Sequence, residues 1–341
     1  MPVLAGKIKT MGFPQIIGHE PQKEFLRNSV RKNRISHAYL FSGPEGVGKK
    51  LVAIGFAKLI NCSEGGTENL DCECTSCAKT EKGLNPDVLV FGYPNEKTIK
   101  VDHVRQDIER LIHLAPYENP YKVFIIDGAQ RMNFNAQNAF LKTLEEPPPN
   151  SVIILITTLA DLLMPTIRSR CQSVVFQPLE AGQVRKFLEE EKPGQNDPEL
   201  VSKISGGSIS RALGTDEEYL RKRIEYIDCV MAVDAKKPLT LFDSVERIQK
   251  DIKSGGPEEL KTVFDILSTW LRDSVILKTC GKKEEIVNTD LIEQLNEYSE
   301  KRNVPELLVK FTALEETMAR ISENNANVEI SLENLLLRLA L

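Results

Sequence analysis

The chain has 341 residues, of which 41% are hydrophobic and 27% charged, and its formal net charge is −5 at pH 7. This length is enough for two or three domains of an ordinary globular protein. The negative charge argues against a broad basic DNA-binding surface, so contact with nucleic acid is expected to be local or made through partners. The sequence contains neither a long apolar stretch nor a recognisable signal peptide, which predicts a cytosolic protein without a membrane span.

The first half of the chain alternates predicted strands with predicted helices. The strands are predicted at 38–42, 87–91, 123–127, 152–156 and 174–176, and the helices at 51–60, 101–114 and 135–146. This alternation predicts a doubly wound α/β domain with a parallel sheet over residues 1–177. After Pro178 the pattern is helical throughout, with a small unit over 178–215 and amphipathic helices over 217–341.

Residues 43–50 read Gly-Pro-Glu-Gly-Val-Gly-Lys-Lys and lie between a predicted strand and a predicted helix. This is the setting of a phosphate-binding loop, where glycines let backbone N–H groups surround phosphates and a lysine reaches them. The glycines and the lysine of this motif are Gly43, Gly46, Gly48 and Lys49. Lys50, however, stands where a Ser or Thr hydroxyl would bind Mg²⁺. A glycine-rich turn without a ligand is the competing interpretation.

Asp127 ends an apolar predicted strand, the position of the acid that holds Mg²⁺ in P-loop nucleotidases. An active ATPase of this type usually has Glu at the next position to polarise the attacking water, whereas here Gly128 follows. An aspartate that caps a turn at the edge of the sheet is an equally good interpretation. Lys50 and Gly128 together predict that ATP or ADP can bind while hydrolysis by this chain is lost.

Four of the seven cysteines fall within sixteen positions, namely Cys62, Cys72, Cys74 and Cys77. In a reducing compartment such a cluster predicts a metal site, and four thiolates suit one tetrahedral Zn²⁺. Because no histidine lies in the cluster, the site would be closed and structural. Buried unpaired cysteines are the alternative. The single residue between Cys72 and Cys74 makes Cys72 the weakest ligand candidate.

Two arginines are candidates for contact with phosphate. Arg170 lies in a Ser-Arg-Cys triplet after the predicted strand that ends at Thr157 and Thr158. At the edge of a subunit such an arginine could reach the γ-phosphate of a neighbour, although a solvated surface arginine is the plainer interpretation. Arg211 follows Gly206-Gly207 at the start of a predicted helix. It could touch a phosphate, but a helix-surface arginine is the commoner meaning of that spacing.

Together these segments resemble the clamp-loader subunits of the bacterial replicase, which are AAA+ proteins. The resemblance covers nearly the whole chain. It is carried by Ile-Ile-Gly-His at 16–19, residues 37–44, the four cysteines, Asn-Pro-Asp at 85–87, residues 122–127, Asn-Ala-Phe-Leu-Lys-Thr-Leu-Glu-Glu-Pro at 138–147, Ile-Arg-Ser-Arg-Cys at 167–171, and Asn-Ala-Asn at 325–327 ahead of Leu-Leu-Leu at 335–337. The Leu-Lys-Thr-Leu-Glu-Glu-Pro stretch and the Ser-Arg-Cys triplet are together highly specific for this family.

The resemblance implies an α/β P-loop AAA+ core over residues 1–177, with an inserted zinc module at about 62–77. It further implies a small helical lid over 178–215 and an all-α collar over 217–341 that holds a five-membered ring together. Arg170 would be an arginine finger that reaches ATP on an adjacent subunit, and Arg211 would be the phosphate sensor of the lid. Thr157 or Thr158 would be the first sensor of the core.

Lys50 and Gly128 favour a non-hydrolysing stator subunit over an ATP-hydrolysing motor subunit of the gamma/tau kind. A helical adaptor that has lost nucleotide altogether is a third interpretation. The partners implied for a stator are the gamma/tau and delta subunits of a hetero-pentameric ring. The sliding clamp and primer-template DNA would be reached through that complex, with no membrane contact. The implied cofactors are structural Zn²⁺ and ATP or ADP held without hydrolysis.

Overall fold

The structure is a computed structural model that describes residues 13, 16–65, 72, 74–94, 96–192, 197–233, 238–281, 283–324 and 326–340. Residues 1–12, in which no signal peptide is recognisable, and Asn325 of the Asn-Ala-Asn motif lie outside these residues. The chain divides into two compact units. One comprises the chain up to Phe187 together with Gly206–Arg211, and the other comprises Leu188–Ser205 together with the chain from Ala212 onward. The three domains proposed above remain a prediction.

Up to the fifth strand, strands and helical segments alternate much as the sequence indicates, and three helices follow. The elements are α1 (Glu20–Arg31), β1 (Ala38–Ser42), α2 (Lys49–Asn61), α3 (Thr75–Glu81), β2 (Val88–Gly92), α4 (Val101–His103), a π-helical segment (Val104–Glu109), α5 (Arg110–Ile112), β3 (Lys122–Asp127), α6 (Phe134–Glu145), β4 (Ser151–Thr157), α7 (Pro165–Arg168), β5 (Gln172–Val175), α8 (Ala181–Glu191), α9 (Pro198–Ile204) and α10 (Ile209–Gly214).

The five strands form one parallel sheet in the order β2-β3-β4-β1-β5, which confirms the predicted parallel α/β sheet. Because all strands run the same way, their carboxyl ends meet at one edge of the sheet. The register places Ser42 at the end of β1 beside Thr157 of β4. It also places Asp127 of β3 beside Ile156, so the ends of β1, β3 and β4 are neighbours.

Hydrophobic layers cover both faces of the sheet. Phe41 and Ile125 belong to one core, while the adjacent residues Leu40 and Phe124 belong to the other, as the period of two along a strand requires. Strands buried on both faces appear as continuous apolar runs, which explains why β3 and β4 were recognisable in the sequence. Each large apolar side chain buried in this way contributes about 1.5–3 kcal/mol to stability.

Helix α2 is buried on nearly all sides within the first of these cores. A Cβ at Gly55 would lie 2.7 Å from the ring of Phe13, so only glycine lets that ring lie against the helix. This packing holds α2, and with it the glycine loop at its N-terminus, against the sheet.

The helix predicted over 101–114 is not regular, because the π-helical segment interrupts it. Val104, Ile108 and Ile112, which recur at a spacing of four residues, are all buried. The wider turn of a π-helix keeps residues at this spacing on one face. Leu111, which the α-helical pattern places on the same face, is only partly buried.

The second unit consists of helices within the described residues. Its longer helices are α11 (Glu217–Ala232), α12 (Pro238–Thr279), α13 (Ile292–Glu300), α14 (Val304–Asn324) and α15 (Val328–Ala340). They pack around a core that includes Trp270, Phe264 and Leu267. Helix α12 bends at Gly256, whose φ is 67°, where the sequence Gly-Gly-Pro predicts a turn. None of the described helices is long and apolar enough to span a lipid bilayer.

Candidate functional site

The carboxyl edge of the sheet brings together the predicted nucleotide-binding residues. The glycine loop follows Ser42 at the end of β1, Asp127 ends β3 and Thr157 ends β4. The Gly43 N–H donates to the Thr157 carbonyl oxygen at 3.3 Å, which joins the start of the loop to β4. The loop and the acid are therefore neighbours, although more than 70 residues separate them in sequence.

Three glycines shape the loop with positive φ angles, 146° at Gly43, 76° at Gly46 and 105° at Gly48. A Cβ at Gly43 would lie 2.2 Å from the carbonyl oxygen of Phe176, so this position has no space for a side chain. Such left-handed conformations disfavour other residues, and they direct the backbone into the N-terminus of α2. Loops of this geometry before a helix are suited to phosphate groups.

The Lys49 ammonium lies inside the loop. Its Nζ donates to the carbonyl oxygens of Gly43, at 2.6 Å, and of Pro44, and the residue is only 6% exposed. Burial lowers the pKa of Lys49, while the negative charges of Asp127 and Glu45 oppose that shift. A bound phosphate would compete with these two carbonyls for the ammonium.

Lys50 and Asp127 form an ion pair with 3.2 Å between Nζ and Oδ2. The carboxylate predicted to hold Mg²⁺ is therefore paired with the lysine that stands in place of the predicted hydroxyl ligand. The next residue, Gly128, has φ 78°, and a Cβ there would lie 2.6 Å from the Nε of Arg131. The backbone at this position thus disfavours the Glu that an active ATPase would carry.

The segment that precedes and begins α10 packs directly on the loop. The Ser210 N–H donates to the Gly46 carbonyl oxygen at 3.2 Å. A Cβ at Gly46 would lie 2.2 Å from Ser208 Oγ and 2.9 Å from Ser210 Cβ. Arg211, the residue that the sequence singled out here, is exposed, and its backbone N–H donates to Ser208 Oγ at 3.2 Å.

The two threonines at the end of β4 differ in environment. Thr157 is buried, and its Oγ1 accepts a hydrogen bond from the Leu159 N–H at 3.1 Å. The Thr158 N–H donates to Gln130 Oε1 at 3.4 Å. Gln130 follows Asp127 in the Asp-Gly-Ala-Gln sequence, so it links the loop after β3 to the end of β4.

Arg170 lies between α7 and β5 and is held by two contacts. One guanidinium nitrogen lies 2.8 Å from Glu145 Oε1, and the other donates to the Thr166 carbonyl oxygen at 2.9 Å. The nearby Arg168 pairs with Asp161 at 2.6 Å. The two arginines of the motif are therefore engaged with different acids.

The four clustered cysteines lie close together, and residues 66–71 and 73 between them fall outside the described residues. Their sulfur atoms all lie within 4.8 Å of one another, and Cys62 Sγ lies 3.5 Å from Cys72 Sγ and 4.0 Å from Cys74 Sγ. Tetrahedral Zn²⁺ with Zn–S bonds of about 2.3 Å separates its sulfurs by about 3.8 Å. The donor set therefore fits Zn²⁺, and Cys72 lies inside it.

A buried acid supports the helix that carries Cys77. Asp87 accepts hydrogen bonds from the backbone N–H groups of Tyr117 at 2.7 Å, Glu118 at 2.9 Å and Asn119 at 3.0 Å. Burial alone would raise the pKa of Asp87, but these donors outweigh burial and hold the pKa below its usual range. Asn85 extends the network to α3 through Thr80, with 2.9 Å between Nδ2 and Oγ1.

Comparison with known proteins gives the same family as the motifs. A family model described as DNA polymerase III, delta subunit, matches residues 18–180, and its C-terminal counterpart matches residues 217–340. DNA polymerase III subunit delta' of Bacillus subtilis is 29% identical over 318 residues, which cover 93% of this chain and 94% of the relative. DNA polymerase III subunit gamma of Buchnera aphidicola subsp. Acyrthosiphon pisum is 35% identical over 294 residues, 84% of this chain and 73% of the relative. The chain belongs to the DNA polymerase III clamp-loader family.

A solved structure agrees with this clamp-loader assignment at the level of the fold. The gamma subunit-related protein of DNA polymerase III from Thermotoga maritima superposes with a TM-score of 0.50 at 20% sequence identity. The alignment covers 94% of this chain and 98% of that one. Identity this low shows a shared fold and nothing further about the site.

Several contacts of this candidate site were not predicted from the sequence. Ser208 and Ser210 had no signal beyond their place after a double glycine. Gln130, three residues after Asp127, had no signal in the sequence. Glu145 belongs to the Leu-Glu-Glu-Pro stretch, which indicated the family without indicating a contact with Arg170.

Proposed function

We propose that this chain is a stator subunit of the delta-prime kind in a DNA polymerase III clamp loader. It assembles with ATP-hydrolysing subunits, does not hydrolyse ATP itself, and supplies Arg170 to ATP bound by a neighbour. The observation that carries the proposal is the Lys50–Asp127 ion pair at 3.2 Å, next to a glycine in place of the catalytic Glu.

The ion pair bears on hydrolysis because Asp127, with a hydroxyl at position 50, would hold the Mg²⁺ that neutralises charge on the phosphates of ATP. A lysine ammonium can neutralise charge at that place, but it has no oxygen with which to coordinate a metal. Gly128 in turn leaves no side chain to orient an attacking water. Both changes weaken hydrolysis in cis, while the loop glycines and Lys49 stay suited to holding ATP or ADP.

The role in trans rests on Arg170, whose side chain is 35% exposed and ends in a guanidinium. A planar guanidinium can form two parallel hydrogen bonds to a phosphate and stabilise its transition-state charge. In phosphoryl transfer an arginine supplied by a neighbouring protein raises the rate by about 10³- to 10⁵-fold. A stator subunit requires an arginine that can act on a neighbour's ATP, but it does not need to hydrolyse ATP at its own nucleotide-binding loop.

The proposed stator role also assigns functions to the sensor residues, the C-terminal helices and the cysteine cluster. Arg211 and Thr157 act as phosphate sensors of the lid and the core, and residues 217–341 form the collar of a hetero-pentameric ring with gamma/tau and delta subunits. Zn²⁺ held by the four clustered cysteines is the structural cofactor of the module at about 62–77. The sliding clamp and primer-template DNA are reached through the assembled complex.

The proposal is tested by the ATPase rate of the reconstituted clamp loader in the presence of clamp and primed DNA. Arg170→Ala is expected to slow hydrolysis at one interface by about 10³-fold or more. The loss for the whole complex will be smaller if the other sites hydrolyse independently. Arg168→Ala, which removes an arginine paired with Asp161, is the matched control. Unchanged hydrolysis with Arg170→Ala would mean that Arg170 is not the finger.

A motor subunit of the gamma/tau kind is the second candidate. It is favoured by the 35% identity to a gamma subunit and by the loop residues Gly43, Gly48 and Lys49. This function predicts Mg²⁺-dependent turnover by this chain within its ring, abolished by Lys49→Ala. If such turnover were measured, Lys50 and Gly128 would have to be compatible with catalysis, and the stator proposal would be abandoned.

A further inference from the structure

Glu145 is the acid that contacts Arg170 among the described residues, with 2.8 Å between the carboxylate and the guanidinium. It is the last residue of α6, whereas Arg170 follows α7, so the pair joins two separate helices. The second contact of Arg170, to the carbonyl oxygen of Thr166, comes from within α7. The two contacts approach different nitrogens of the guanidinium and restrict its orientation.

The position of Glu145 is unfavourable for α6 itself. A negative charge in the last turn opposes the helix dipole, whose C-terminal end is partially negative. Helix stability therefore does not explain an acid at this place, while neutralisation by Arg170 offsets the disadvantage. The next residue, Glu146, has the same charge and is exposed, and no ion pair involving it is found among the described residues.

We propose that Glu145 is a positioning residue for Arg170, holding its guanidinium ready for the phosphate of ATP bound by a neighbouring subunit. This inference rests on the function proposed above, in which Arg170 acts in trans. Arginine has five N–H donors, and the contacts with Glu145 and Thr166 engage one on each terminal nitrogen. Three donors remain with which to meet the phosphate oxygens.

The physical benefit is preorganisation. A long arginine side chain has many rotamers, and ordering it at each turnover slows the step that needs it. An anchor formed before the neighbour binds nucleotide lowers this cost, and groups held in a productive geometry accelerate catalysis. The carboxylate also keeps a cationic side chain neutralised while the subunit is unassembled.

The alternative role for the same ion pair is inhibitory, with Glu145 keeping Arg170 away from the phosphate. The two roles predict opposite changes in rate. Removal of a positioning residue makes hydrolysis slower, whereas removal of an inhibitory residue makes hydrolysis faster. The sign of the effect therefore separates them.

The experiment measures ATP hydrolysis by the reconstituted clamp loader, with clamp and primed DNA, for Glu145→Ala, Glu145→Gln and Glu145→Asp. Glu145→Ala is expected to lower kcat by about 2- to 10-fold with little change in KM, because one side chain must then be ordered at each turnover. Glu145→Gln keeps an oxygen acceptor without the charge and should lose less, and Glu145→Asp should recover part of the rate. Glu146→Gln is the matched control and should leave kcat unchanged.

A purely structural role is distinguished by combining variants. In an Arg170→Ala background, Glu145→Ala is expected to have no further effect on kcat, and complex assembly should be unaffected throughout. An unchanged or increased kcat with Glu145→Ala, while Arg170→Ala abolishes hydrolysis at its interface, would overturn this inference alone. If Arg170→Ala is itself without effect, the proposed function fails and the positioning role fails with it.

Discussion

At the scale of single residues, the ion pair between Lys50 and Asp127 bears most directly on metal binding at the glycine loop. Both side chains are partly exposed, at 28% and 37%, so their ion pair contributes at most about 1 kcal/mol to stability. Its importance is therefore its position, since it places a cation on the carboxylate that is proposed to hold Mg²⁺ in an active site of this type. Because a lysine cannot coordinate a metal, nucleotide binding by this loop should be insensitive to Mg²⁺.

Replacement of Lys50 by Thr should reverse that insensitivity. The new hydroxyl supplies a metal ligand and releases Asp127, so ADP is expected to bind roughly tenfold more tightly with Mg²⁺ than with EDTA, the size of one charge-assisted interaction. ATP turnover should stay absent, because Gly128 is unchanged. Isothermal titration of ADP, with and without Mg²⁺, measures the effect.

Lys50→Met is the control for this comparison, since it removes the charge without adding a hydroxyl. It should bind ADP without any response to Mg²⁺. If the unmodified protein bound ADP more tightly in Mg²⁺ than in EDTA, Lys50 would not be excluding the metal. The account of the disabled site given above would then be wrong.

The cysteine module is a feature at the scale of elements. Helix α3 has only seven residues, too few to be stable by itself in water. Thr80 of α3 contacts the network of Asn85, and Cys77 of α3 belongs to the cysteine cluster. A metal in the cluster would join Cys77 of α3 to Cys62, the residue that follows α2, and so stabilise α3.

We therefore expect about one equivalent of Zn²⁺ per chain when the protein is purified without chelators. Cys72→Ser should weaken zinc binding by more than the roughly 10- to 100-fold that follows loss of an outer-shell contact. Cys280→Ser, at an exposed cysteine outside the cluster, is the matched control. Metal analysis measures the zinc content per chain, and chelator competition measures the zinc affinity of each variant. Unchanged zinc affinity in Cys72→Ser would show that Cys72 is not a ligand.

The whole molecule offers a way to observe its two compact units separately. Trp270 is the sole tryptophan of the chain, and it is buried in the second unit. The cysteine cluster belongs to the first unit. Tryptophan fluorescence thus reports on one unit, whereas loss of far-UV circular dichroism reports on both.

Removal of zinc is expected to lower the thermal transition seen by circular dichroism while the fluorescence transition of Trp270 keeps its midpoint. The reason is that a bound metal stabilises only the unit that contains its ligands. For a unit of this size, about 1 kcal/mol of lost stability corresponds to a shift in Tm of about 2–4 °C. Equal shifts of both transitions would show that the two units unfold as one.

The sequence already indicated much of the fold and part of the site. Buried parallel strands such as β3 and β4 appear as apolar runs, and the glycine loop has a fixed spacing, so both were recognisable. The π-helical segment was not, because Val104, Ile108 and Ile112 also suit an α-helical pattern. Ser208 and Ser210 were missed because their contact with Gly46 joins parts of the chain more than 160 residues apart.

The sequence by itself determined the parallel α/β architecture, the helical second half and the clamp-loader family. These follow from local periodicity and from residues at fixed spacing, which depend little on distant parts of the chain. Only the tertiary structure decided that Lys50 forms an ion pair with Asp127 and that Glu145 forms one with Arg170. It also decided that the Cys72 sulfur lies with those of the other three cysteines. Each is a contact between side chains from different elements, and its geometry exists only once the elements have packed.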